Sequence, residues 1–175
     1  RQIRDHGQDS RYHHIRLGIN GRLDTIQAAV LLAKLDIFES EVVSRQRAAA
    51  RYETLLADKA QQGLLALPVV LSHNTSTWAQ YTVRVKNRSL VQQSMTEAGI
   101  PTAVHYPTSL YRQPALKQST IECKQSDRAA NEVLSLPMHP YLTDEIQKQI
   151  AKCLSEAIDA SGASPSFSNK ENSVV

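Results

Sequence analysis

Cysteine is scarce in this chain, and its placement excludes two classes of protein. It occurs twice in 175 residues, as Cys123 and Cys153, in separate segments and without CxxC spacing. That pattern argues against a disulfide scaffold and against a cysteine-built zinc site, and it fits a reducing cytoplasm. Long apolar runs are missing as well. No stretch approaches the length of about 20 residues that a membrane-spanning helix needs, and the opening residues do not read as a signal peptide. The expected location is therefore the cytoplasm, with no membrane partner. One-sided charge is also absent: the formal balance is +3, and the basic residues are spread out rather than interleaved with aromatics. A nucleic-acid partner is not expected from such a surface.

What is present is an ordinary globular composition, 41% apolar and 21% charged. The length suffices for one domain with a real core and is too short for two large ones. The sequence opens at Arg1 with "RQIRDHG", which reads like the end of an element followed by a turn. The expectation is that the chain is a piece of a longer protein.

Residues 1–22 are polar, with Gly7, Gly18 and Gly21, and read as loop. A helix is predicted from Asp24, a good N-cap with Gln27 at the capping-box position. Leu23, Ile26, Val30, Leu31, Leu35 and Phe38 give it one apolar stripe. Neither Gly nor Pro interrupts the pattern before Gly63, so a kink or break is expected near residues 36–40. "QYTVRVK" alternates as a strand with Tyr81, Val83 and Val85 on one face. "RSLVQQSMTEAGI" reads as a short helix stopped by Gly99. "PTAVHYP" reads as a second strand between Pro101 and Pro107. "DRAANEVLSL" reads as a third helix and "LPMHP" as a short extended piece. "TDEIQKQIAKCLSEAI" is a fourth helix, capped by Thr143, with Ile146, Ile150, Cys153, Leu154 and Ile158 as its stripe. From Ser161 the Ser-rich sequence lacks a stripe and is expected to be disordered. The element order implies an α+β domain with a small, mostly antiparallel sheet.

Two segments bring chemistry-bearing residues together. In "GINGRLD", residues 18–24, the glycines allow tight turns, so that Asn20 and Arg22 can project side by side just ahead of a helix start. An Asn amide can donate to a phosphate oxygen and an Arg can bind an anion bidentately. A polar loop with Asp24 as a simple cap accounts for the same residues, and the glycine spacing is not that of a phosphate loop. In "AVHYPTSLYRQPAL", residues 103–116, a His-Tyr pair at a strand end is presented where a cleft rim would lie. His105 is there either a general acid-base or hydrogen-bonding group or a structural histidine. His139, between prolines, reads as structural. His13 and His14 have no carboxylate or Cys at ligand spacing, so no metal is expected. No serine stands in a Gly-x-Ser-x-Gly elbow.

The same segments resemble, in order along residues 1 to about 156, the DegT/StrS-type sugar-nucleotide aminotransferases. "LGINGRLDTIQAAVLLAKL" matches the Gly-x-Asn-x-Arg-Leu-Asp-x-x-Gln-Ala-Ala segment of that family. "RDHG", "RQRAAARY", "WAQYTVRVKNR", "AGIPTAVHYP" and "SLPMHPYLT" follow in the family's order. The resemblance implies a pyridoxal 5′-phosphate (PLP) enzyme of fold type I, of which this chain is the C-terminal part. Residues 1–23 would end the large domain and carry a cofactor-contacting loop, and 24–60 would form the connecting helix. Residues 61–159 would form the small α+β domain and 160–175 the disordered tail, with an α/β large domain outside this chain. A homodimer with shared active sites is implied. Asn20 then corresponds to the asparagine that binds the PLP phosphate of the neighbouring subunit, and Arg22 to an arginine placed for the anionic part of the substrate. His105 and Tyr106 correspond to the pair that approaches the sugar-nucleotide.

The implied reaction is transamination from glutamate to a nucleotide-linked ketosugar. The lysine that holds PLP covalently has no counterpart here, since none of the eight lysines stands in the family's context. The chain alone is therefore expected to be inactive. Within the family, "GQDSRYHHIRLGINGRLDTIQAAVLLAKLDIFE" resembles members that aminate a UDP-linked 3-keto-N-acetylglucosaminuronic acid for lipopolysaccharide O-antigen. Ser109 and Tyr111 depart from the family pattern, which often has Pro and His or Asn there. The rival reading is a stand-alone binding or regulatory module that retains the small domain without catalysis.

Overall fold

The computed structural model describes residues 1–116 and 122–167. The chain divides into two compact units, Arg1–Ser40 and Glu41–Val175.

In the first unit, strands β1 (Gln8–Ser10) and β2 (His13–His14) pair antiparallel, with Gln8 opposite His14 and Ser10 opposite His13. The sequence led us to expect only loop here. Short polar strands carry no alternation signal, and the turn depends on Tyr12 adopting a left-handed backbone. Helix α1 (Thr25–Gln61) begins after Asp24, whose Oδ1 accepts from the Ile26 amide at 2.8 Å. The expected cap is therefore present. The expected break near 36–40 is not: α1 is continuous, and the Ser40 hydroxyl donates back to the Ile37 carbonyl at 2.7 Å. The stripe residues Leu23, Ile26, Val30, Leu31, Leu35 and Phe38 are all exposed.

The second unit holds the core. There α1 buries Ala48, Ala49, Tyr52 and Leu56. Strands β3 (Leu65–Ala66), β4 (Tyr81–Val85) and β5 (Val133–Leu136) form one antiparallel sheet with β4 in the centre. Tyr81, Val83 and Val85 are buried as the alternation predicts. Helix α2 (Arg88–Glu97) buries Val91 and Met95 and stops at Gly99, which has φ +73°. Helix α3 (Lys124–Glu132) leads straight into β5. Helix α4 (Asp144–Ala160) is capped by Thr143, whose Oγ1 accepts from the Ile146 amide at 3.3 Å, and buries Ile150, Leu154 and Ile158. Ile146, expected in the stripe, is exposed.

Three expectations are corrected. Residues 101–107 form no strand. Only Ala103 pairs, in an isolated bridge to Ser135, because the prolines at both ends lack the N–H that a longer ladder needs. The helix expected over 127–136 ends at Glu132, and Val133–Leu136 is strand. A four-residue run with three apolar residues around Ser135 is ambiguous by periodicity, and pairing with β4 decides it. The extended piece expected at 136–140 thus lies a few residues upstream, as β5.

The tail, expected to be disordered from 160, is ordered as far as Phe167. The Ser166 and Phe167 amides donate to the Gly63 carbonyl at 2.9 and 3.1 Å, and Phe167 is buried against the Arg84 and Lys86 cations. A single aromatic in a Ser-rich stretch is enough to anchor it. Gly63 is required there, since a Cβ would lie 2.8 Å from the Phe167 carbonyl oxygen. Residues 168–175 of the expected tail lie outside the described residues.

Candidate functional site

In the first unit, residues 2–7 and 15–21 run beside each other as irregular backbone held by cross-links. The His6 amide donates to Ile19 O at 3.0 Å, Ile19 to Ile3 O at 2.8 Å, and Gly21 to Arg4 O at 2.7 Å. Asp5 and Asn20 form an isolated antiparallel bridge. Two glycines permit this approach. A Cβ on Gly18 would lie 2.1 Å from the Gly7 nitrogen, and one on Gly7 would lie 1.8 Å from the Arg16 oxygen. Close backbone packing therefore fixes the main chain at Asn20 one turn ahead of α1.

The side chains of Asn20 and Arg22 meet on this frame. Arg22 Nε donates to Asn20 Oδ1 at 3.4 Å and lies 3.5 Å from Asp5 Oδ1. Both residues are exposed. The Asn20 amide nitrogen has no hydrogen-bond partner among the described residues, which leaves its two N–H groups available as donors. His13 and His14 are separately engaged: His13 Nδ1 pairs with Asp9 Oδ1 at 2.7 Å, and His14 Nδ1 with the His6 carbonyl at 2.9 Å. The His13 contact holds the Asp9 carboxyl below its usual range.

In the second unit, the Ala103 bridge positions the segment that carries His105 and Tyr106. The two rings meet edge to face with centroids 6.0 Å apart, and the peptide bond between them is cis. Both side chains are exposed, and both line a cavity of about 570 Å³. Ser109, Leu110 and Gln113 continue that wall, and Ser126, Ala129 and Val133 supply the opposite one from α3 and the start of β5. The lining is mainly apolar with a few polar groups, the usual make-up of a small-molecule site.

Asp127, in the first turn of α3, joins the two walls. Its Oδ1 accepts from Ser109 Oγ at 2.7 Å and from Arg112 Nε at 2.8 Å. Its Oδ2 accepts from Arg112 Nη2 at 2.6 Å and from the Tyr111 hydroxyl. The Arg112 hydrogen bonds, followed by those from Tyr111 and Ser109, hold the Asp127 carboxyl at about 2. Ser109 and Tyr111, the two departures from the family pattern, thus share one partner.

The structure brings Asn20 together with Arg22 in one unit and His105 together with Tyr106 in the other. Asp127 and the α3 wall were not foreseen from sequence. Asp127 stands 15 to 18 residues from its partners, and no local spacing links them. Among the described residues no group of three His, Cys, Asp or Glu could hold a metal ion. No described helix is long and apolar enough to cross a membrane.

The profile of the DegT/DnrJ/EryC1/StrS aminotransferase family matches residues 1–155. The chain is 51% identical over 154 residues to a Pseudomonas aeruginosa UDP-2-acetamido-2-deoxy-3-oxo-D-glucuronate aminotransferase, covering 88% of this chain and 42% of that protein. The crystal structure of a DegT DnrJ EryC1 StrS aminotransferase from Brucella abortus is 36% identical. It superposes with a TM-score of 0.78, over 89% of this chain and 41% of that one. NtdA from Bacillus subtilis, solved with bound cofactor PMP, is 25% identical with a TM-score of 0.78, over 90% and 38% of the two chains. The chain therefore spans less than half the length of each of these relatives.

Proposed function

Because the chain belongs to the DegT/DnrJ/EryC1/StrS aminotransferase family, we propose that it is the C-terminal part of a PLP-dependent enzyme moving an amino group from glutamate to a nucleotide-linked ketosugar. The observation that carries this reading most strongly is the 51% identity to the Pseudomonas aeruginosa UDP-sugar aminotransferase, which extends over 88% of the chain. The proposed acceptor is accordingly a UDP-linked 3-keto-N-acetylglucosaminuronic acid, made for lipopolysaccharide O-antigen or a related polysaccharide in the cytoplasm. In this reading the second unit, with the end of α1, is the small domain of a fold type I transferase, and the large domain lies outside this chain.

The residues present fit a PLP phosphate. Asn20 sits on a backbone fixed by close glycine packing, and its exposed side-chain amide has donors available for a ligand. Asn20 would hold the phosphate of a neighbouring subunit's cofactor in a homodimer with shared sites. When bound, PLP supplies an electron sink for the carbon centre that gains or loses the amine. Arg22, steered by Asn20 and Asp5, would neutralise the anionic group of the substrate. His105 and Tyr106 would orient the sugar-nucleotide in the cavity they line, and the apolar α3 wall would exclude water from it. No lysine here is proposed as the covalent anchor. Lys59, Lys86 and Lys152 are each paired with a carboxylate, on Asp159, Glu132 and Glu156. The chain by itself is proposed to be inactive.

Initial rates test the reading. The full-length protein, supplied with PLP, glutamate and the UDP-3-ketosugar, should give parallel double-reciprocal lines, as a two-stage exchange requires. No amino sugar formed from any nucleotide-linked ketosugar would overturn it.

A further inference from the structure

The cavity beside His105 and Tyr106 has two walls that belong to different elements. One is the segment 105–113, which carries the short 3-10 turn Leu110–Arg112 and no ladder, its nearest sheet tie being the Ala103–Ser135 bridge just upstream. The other is helix α3, a regular element continuous with the central sheet through β5. The backbone hydrogen bonds of segment 105–113 are local, the Arg112 and Gln113 amides donating to the Ser109 and Leu110 carbonyls at 3.0 Å, so its place against the other wall is held through side chains. All of the side-chain hydrogen bonds from Ser109, Tyr111 and Arg112 to the opposite wall end on one carboxylate, that of Asp127.

We propose that Asp127 is a positioning residue that sets the width of this cavity and, through it, the recognition of a nucleotide sugar. The inference rests on the function proposed above. Asp127 itself does not line the cavity, whereas Ser126 and Ala129 beside it do, as does its hydrogen-bond partner Ser109. Ser109 is buried, so its hydroxyl has few other partners and fixes the wall at that point. Tyr111 and Arg112 close over the same carboxylate. The Arg112 Nε also lies 3.0 Å from the Tyr111 hydroxyl, so these two residues are tied to each other as well as to the carboxylate. Four acceptor sites on one ionised carboxylate suit four donors, and a neutral side chain would leave part of that set unpaired. The leverage is geometric. Release of the segment would let His105 and Tyr106, four and three residues ahead of Ser109, leave their places at the rim.

The test uses the full-length protein with Asp127→Asn and, as a milder change, Tyr111→Phe. Three readouts are taken: deuterium exchange of residues 105–113, affinity for UDP-N-acetylglucosamine by calorimetry, and steady-state turnover of the UDP-ketosugar. The proposal expects faster exchange confined to 105–113, with β4 and α2 unchanged. It expects a loss of affinity and a rise in KM of roughly tenfold for Asp127→Asn, the scale of one charge-assisted hydrogen bond, with kcat changed much less. Tyr111→Phe should move all three readouts the same way and by less. Unchanged affinity and KM in both variants, despite local exchange, would show a structural tie only and overturn the proposal. Exchange rising throughout the chain, with kcat and KM lost together, would overturn it too. A wild-type protein that keeps the slow segment, loses it in Asp127→Asn and never binds the nucleotide sugar would instead fail the functional reading while leaving the tie itself established.

Discussion

Ala103 and Ser135 exchange both of their backbone hydrogen bonds, at 3.1 and 2.8 Å, and this one pair anchors the segment whose next residues but one are His105 and Tyr106. The anchor is made to β5, so the site residues borrow their position from the sheet edge without being part of it. In the proposed function, His105 would act from a fixed base, with its exposed ring at the cavity rim. Replacing His105 by Ala in the full-length protein should raise the KM for the ketosugar several-fold, roughly the loss of one hydrogen bond. Equal losses in the glutamate and ketosugar half-reactions would mark a structural histidine instead.

Asn20 carries the cofactor side of the account. Asn20→Ala should weaken PLP retention by roughly 1 to 3 kcal/mol, the range for a hydrogen bond to a charged group. Equilibrium titration of the apoenzyme with PLP measures it, and an unchanged affinity would remove Asn20 from the cofactor site.

Glu132 is buried beneath three cations, Arg84, Lys86 and Arg128. Burial pushes its carboxyl up, but the hydrogen bonds from Lys86 and Arg84 outweigh that and leave it below the ordinary value. A lowered folded value means that the stabilisation is complete above the ordinary glutamate range and is lost as pH falls through the folded value. Glu132→Gln should cost roughly 2 to 3 kcal/mol at neutral pH, since it removes the one buried acceptor that three half-buried cations share. Urea unfolding at pH 7 and at pH 4 checks both parts: the gap between wild type and variant should narrow at the lower pH.

The Asp127 tie gives a second pH statement. Its carboxyl is held at about 2, below the ordinary 3.8, by Arg112, Tyr111 and Ser109. The tie is therefore intact above about pH 4 and is lost only as pH falls through about 2. The ratio of KM values for wild type and Asp127→Asn should stay flat from pH 5 to pH 8. An acid limb near pH 5 in the wild type that vanishes in the variant would contradict the assignment.

Tyr52 tests the core. Its ring stacks at 5.0 Å on Tyr81, and its hydroxyl donates to the Pro137 carbonyl at 2.9 Å, joining α1 to the turn that follows β5. Tyr52→Phe should lower stability by about 1 kcal/mol, and Leu56→Ala, at a fully buried site, by about 2 to 5 kcal/mol. Thermal unfolding measures both, and a null effect at Leu56 would mean that the second unit does not pack on this helix.

The parts of this protein legible in its sequence are those whose signals are local. Strand β4 declared itself by alternation, α2 by its terminal glycine and α4 by the Thr143 cap, because each depends on residues a few positions apart. Val133–Leu136 is ambiguous in sequence because three apolar residues around Ser135 suit a helix end and a buried strand alike, and only the distant β4 edge decides. The 161–167 segment was misread because one phenylalanine against two cations outweighs a polar composition. Asn20, Arg22, His105 and Tyr106 stand out as candidates through ordered motifs, since spacing alone suits a plain polar loop or a structural histidine equally well. Asp127 escaped because its partners lie on another element, where no period or cap points to it.

The most direct measurement of the central claim is transfer of the amine itself. The full-length protein, loaded with PLP, is given [15N]glutamate and the UDP-linked 3-keto-N-acetylglucosaminuronic acid, and the sugar product is weighed by mass spectrometry. The account expects 15N on the sugar, with 2-oxoglutarate formed in equal amount. A protein that retains PLP and consumes glutamate yet leaves every nucleotide-linked ketosugar unlabelled would contradict it.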